Sequence, residues 1–100
     1  MQQQVEDFIK AYQLSCGEKV RYMDLVSEIG ELGKEIIKST SYGKEKFSLN
    51  EAITEEMGDC IFSMLALCVE LGINSNEALK YAIEKYELRF QQTSCISSGK

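Results

Sequence analysis

Between Cys60 and Val69 the chain carries a single polar residue, Ser63. The run is too short to cross a bilayer. Apolar spacing extends it into a helix that starts near the capping-box sequence Ser48-Leu49-Asn50-Glu51 and stops at Gly72. A helix that is apolar on nearly every side must be covered on nearly every side. That constrains the fold more than any other feature, because 100 residues leave little else to cover it with, so self-association is expected.

The remaining segments are also helical. Val5, Phe8, Ile9 and Tyr12 mark one face of a first helix over about 2–14, with Gly17 as its stop. A second helix spans about 19–38, with Val20, Met23, Val26, Ile29, Ile36 and Ile37 as its apolar faces and Asp24, Glu28, Glu31 and Glu35 as an acidic stripe. Residues 39–47 form a loop that either closes over a ligand or merely joins two long helices. Asn74-Ser75-Asn76-Glu77 is a second capping box, and Leu79, Ala82, Ile83, Tyr86 and Phe90 give the fourth helix its buried side. With no proline and no convincing strand alternation, the expectation is an all-α domain over residues 1–100: a four-helix bundle completed by dimerisation, with a frayed tail over 91–100.

Glu28-Ile29-Gly30-Glu31 and Glu56-Met57-Gly58-Asp59 each place two carboxylates at i and i+3, hence on one helix face. If the two helices pack antiparallel with these faces inward, four carboxylates converge, which a fold tolerates chiefly around metal ions. The competing reading is solvated surface, as expected for the third such pair, Glu84 and Glu87, which lies among Lys80, Lys85 and Arg89. Gly30, Gly33 and Gly58 favour the site, since glycine inside a helix costs about 1 kcal/mol unless a close approach needs the missing Cβ. Lys85 and Arg89, one turn apart, can reach phosphate oxygens or pair with the neighbouring glutamates.

Composition narrows the chemistry. The chain has no histidine, which removes His-based zinc sites, Ser-His-Asp triads and Cys-His pairs, and leaves hard oxygen ligands suited to Mg²⁺ or Mn²⁺. A net charge of -5 without a basic stripe argues against nucleic-acid or membrane-surface binding. Cys16, Cys60, Cys68 and Cys95 form no CxxC pair and the chain opens without a signal-peptide pattern, so reduced thiols and a cytoplasmic location are expected.

The stretch from Glu55 to Leu65, with Glu70-Leu71-Gly72-Ile73, Glu77-Ala78-Leu79 and Lys85-Tyr86-Glu87-Leu88-Arg89-Phe90, closely resembles the MazG family of all-α nucleotide pyrophosphohydrolases. The family's ExxE and ExxD signature is matched by Glu28-x-x-Glu31 and Glu56-x-x-Asp59. Many relatives begin the first motif with two glutamates, whereas Ser27 precedes Glu28 here. The resemblance covers about residues 24–90. It implies that Glu28, Glu31, Glu56 and Asp59 bind Mg²⁺. The charges then add their own assignments: one glutamate, Glu31 first among them, serves instead as the base that orients the attacking water, and Lys85 and Arg89 are the candidates for holding phosphate oxygens. The resemblance further implies an intertwined homodimer or homotetramer that cleaves nucleoside triphosphates to monophosphate and pyrophosphate. The alternatives are a non-catalytic helical dimerisation module and a phosphoribosyl-ATP pyrophosphohydrolase-like enzyme; the segment after Asp59 disfavours the latter.

Overall fold

The computed structural model describes residues 1–93, which form four helices and no strand: α1 (Gln2–Ala11), α2 (Glu18–Ser39), α3 (Glu51–Leu71) and α4 (Ser75–Thr93). Cys95 and most of the expected tail lie outside the described residues. None of the described helices is long and apolar enough to cross a membrane.

The α2–α3 hairpin is the frame, with α1 laid against α3. The two long helices run antiparallel: the Gly17 amide at the start of α2 donates to Glu70 near the end of α3, at 3.1 Å, while Glu28 meets the earlier part of α3. Arg21, Leu25, Glu28, Leu32, Glu35 and Ser39 recur at three- and four-residue spacing and form the seam side of α2, all buried or half-buried. Ile53, Glu56, Cys60, Ser63, Leu67 and Glu70 answer from α3. On the other side of α3, Val5 and Ile9 of α1 bury themselves against Leu65 and Ala66, and the Phe62 ring stands edge-on to Phe8 at 5.8 Å.

This seam differs from the expected one. Val20, Met23, Val26, Ile29, Ile36 and Ile37, read as the buried faces of α2, are exposed in the single chain, because α2 turns its acid-bearing stripe to α3 instead. Leu79, Ile83 and Phe90 of α4 are likewise exposed, and no side chain of α4 through Gln92 is fully buried. The radius of gyration is 16.7 Å, against about 13 Å for a compact chain of this length.

Helix ends follow local chemistry. α1 stops at Ala11 rather than near Leu14: Gln13 turns left-handed at φ 54°, and the Leu14 amide bonds the Ile9 carbonyl at 2.9 Å in a Schellman closure. Gly17 therefore opens α2 instead of ending α1. The Leu14 carbonyl also accepts from the buried Arg21 guanidinium, and Glu70 accepts from the Ser15 hydroxyl, so the α1–α2 connection is tied at two points. At α3 the cap is Asn50 and not Ser48; its side-chain oxygen takes the Ile53 amide, which an asparagine does at least as well as a serine. Asn74 caps α4 as expected, accepting from Glu77, and Gly72 ends α3 in the left-handed region at φ 70°. The α2–α3 connection begins as a tied turn, in which the Thr40 hydroxyl takes the Gly43 amide and the Ser41 hydroxyl donates to Glu45.

Candidate metal centre

Glu28 projects from the middle of α2, and Glu56 and Asp59 from the first half of α3, directly across the seam. Each of the three offers an oxygen, and these oxygens all lie within 4.8 Å of one another. Glu28 and Glu56 are half-buried and Asp59 is exposed, so the cluster opens to solvent on one side. Among the described residues this is the one group of metal-binding side chains so arranged.

The electrostatics are those of unrelieved repulsion. Both Glu28 and Glu56 are held above the ordinary carboxyl value, first by partial burial and next by Asp59. Glu31, the closeness of the Asp59 carboxyl and then Asp24 push Glu28 up further. Glu56 feels Glu28, then Glu31 and Glu35. The half-buried Cys60 thiol is pushed up by burial and by the same three acids, which keeps it a neutral thiol. Among the described residues, the neighbours that shift the two glutamates are all acids. An all-oxygen, carboxylate-rich, half-buried group whose shifting neighbours among the described residues are acids fits a hard divalent cation.

The sequence-predicted residues divide accordingly. Glu28, Glu56 and Asp59 are brought together. Glu31 lies one turn along α2, exposed, with its charge acting on both glutamates though outside the tight triad. Lys85 and Arg89 sit on α4, outside the triad, and the Lys85 ammonium lies over the Tyr86 ring at 4.9 Å. Glu84 and Glu87, the comparison pair, are exposed and outside the cluster. The glycines do not serve a close approach within the chain: a Cβ at Gly30, Gly33 or Gly58 would meet nothing within 4 Å.

One stripe residue was not counted among the site's acids, and one seam residue escaped the sequence argument altogether. Glu35 continues the Glu28–Glu31 face by one turn, a register visible in the stripe. Arg21 is a buried cation on the seam, and its only sequence signal is its four-residue offset from Leu25. Cys16, Cys60 and Cys68 are free thiols.

The model of the MazG nucleotide pyrophosphohydrolase domain matches residues 19–93, which contain both acidic motifs and all of the hairpin but its first residue. The chain belongs to this family, whose members are hydrolases acting on nucleotides and are typically metal-dependent. No curated protein and no solved structure gives a match.

A raised carboxyl pKa means that the folded chain holds its protons to higher pH than the unfolded one, so stability falls as pH climbs past the ordinary value of 4.5. At pH 7 the cluster therefore subtracts from stability in the absence of metal. Glu56→Gln should raise the melting temperature of the metal-free protein at pH 7, and that gain should vanish below pH 4.5, where the native glutamate is protonated in both states. Thermal melts across this range check it. A Glu56→Gln chain that melts lower at pH 7 would show the repulsion to be already relieved.

Proposed function

We propose that this protein is a Mg²⁺-dependent nucleoside triphosphate pyrophosphohydrolase, releasing nucleoside monophosphate and pyrophosphate, and that it clears modified nucleotides. The observation that carries the reading is the convergence of Glu28, Glu56 and Asp59 from facing helices, three oxygens within 4.8 Å of one another. Family membership supplies the reaction class. The free thiols accord with a reducing, cytoplasmic setting.

Glu28, Glu31, Glu56 and Asp59 are the residues that would hold Mg²⁺, with Mn²⁺ as an alternative. When bound there, the cation neutralises phosphate charge and makes a water more acidic. Of the four, Glu31 is the one suited to serve as base instead of ligand: it is exposed and stands outside the tight triad, so it can take a proton from a water that attacks the α-phosphorus in line. Lys85 and Arg89 are assigned to phosphate oxygens, as point charge and fork respectively.

A partner subunit belongs to the same proposal. Ile29, Ile36, Ile61, Met64, Leu79 and Ile83 are between 38% and 59% exposed in the single chain, more apolar surface than a soluble monomer usually leaves open. A second copy supplies the complementary faces in a homodimer, or two such pairs in a homotetramer. Light scattering should return two or four times the 11.3 kDa chain mass, and a single-chain mass at micromolar concentration would contradict it.

Hydrolysis in ¹⁸O-water with Mg²⁺, over a panel of ordinary and modified nucleoside triphosphates, tests the reaction. Label in the monophosphate with unlabelled pyrophosphate is the expected result. Label in orthophosphate or pyrophosphate would mean that a different phosphorus is attacked.

A further inference from the structure

A nucleoside triphosphate is strongly anionic, and the cleft assigned to it is lined by carboxylates. Beyond the triad the same face of α2 carries two further acids, Glu31 and Glu35, which repel the far end of any phosphate chain laid along that face unless a cation stands there too. Helical register supplies one. Glu28, Glu31, Glu35 and Lys38 follow one another at spacings of three, four and three residues, so Lys38 is the cationic end of the same face of α2.

Lys38 reaches back along this face: its Nζ lies 3.5 Å from Glu35 Oε2. The lysine side chain is 50% exposed and the glutamate 21%. An i,i+3 pair at that distance, with the lysine open to water and the glutamate half-buried, adds little to stability, so giving it up costs the fold little. The contact is a resting place that a better acceptor can displace. Beyond Lys38, at the same end of the hairpin, the connection to α3 carries Lys44 and Lys46. The charge thus changes sign along one face, from the acids that would hold the metal to a lysine one turn beyond Glu35. Glu31 and Lys38 are seven residues apart, about 10 Å along the helix axis. A triphosphate chain and an extended lysine side chain can cover that gap together; a monophosphate cannot.

We propose that Lys38 is a phosphate-holding residue of this site, resting on Glu35 in the free protein and transferring its ammonium to the terminal phosphate of a bound nucleoside triphosphate. The inference rests on the hydrolase reading above and adds to it a basis for telling substrate from product. Lys38 holds the end of the molecule that leaves as pyrophosphate, and the monophosphate makes no contact with it.

Isothermal titration with Mg²⁺ and a nucleoside triphosphate carrying a methylene in place of the α–β bridging oxygen tests this on the intact chain. Lys38→Met should weaken binding about tenfold, the scale of one charge-assisted hydrogen bond, while monophosphate affinity stays within about twofold. Lys38→Arg should recover most of the loss. The melting temperature of the Lys38→Met variant without ligand, and its rise on adding Mg²⁺ alone, should match the native values, which excludes a folding defect as the cause. If Lys38→Met binds the analogue as the native chain does, or loses both nucleotides equally, the Lys38 assignment is overturned while the hydrolase reading stands. A native chain that binds neither nucleotide with Mg²⁺ overturns the two together.

Discussion

The structure depends on a seam between two long antiparallel helices that contains like charges. Leu25 and Ile53 close it at one point and at another, while Glu28, Glu56 and Asp59 share the space between. Burying apolar area is what drives two such helices together, and carboxylates at the same seam oppose that drive. Under the proposed function that opposition has a use: the residues that raise the energy of the fold without metal are those a bound cation would reward, so affinity for the cation and the cost of crowding the acids would have the same origin.

The seam also explains how the rest of the chain is arranged. Because α2 offers its acidic stripe to α3, its branched apolar residues face outward, and α4 covers little of what remains. Among the described residues, six apolar side chains are buried: Val5, Ile9, Leu25, Ile53, Leu65 and Ala66. The all-round apolar character of α3 is met on one side by α2 and on another by α1, and its Ile61 and Met64 are left open. A single copy thus holds the site's acids in place without completing a core around them, which is why the proposed function includes a second subunit.

Much of this was legible in the sequence. Period 3.6 gave the helices, and the i,i+3 acid pairs with their opposing register placed Glu28 against Glu56 and Asp59. What was misread were choices between faces. Ile29 and Val26 look more buriable than Glu28 in any local window, and only the partner helix decides which face turns inward. The cap at Asn50 was misplaced by two residues because Ser48 and Asn50 offer similar chemistry, and tertiary geometry selects between them. Gly30, Gly33 and Gly58 suggested a tight approach that the chain itself does not make. Arg21 was invisible because its role, donating to the Leu14 carbonyl, exists only once α1 has turned back into α2.

The central claim is that the convergence of Glu28, Glu56 and Asp59 is a cation site and not crowded surface. Titrating the protein into Mn²⁺ while following the free-ion electron paramagnetic resonance signal addresses it without reference to any substrate. Saturable loss of the signal is predicted, reversed by excess Mg²⁺, retained in a Glu84→Gln/Glu87→Gln double variant and abolished in Glu28→Gln/Glu56→Gln. Equal Mn²⁺ uptake by the two double variants would contradict the account.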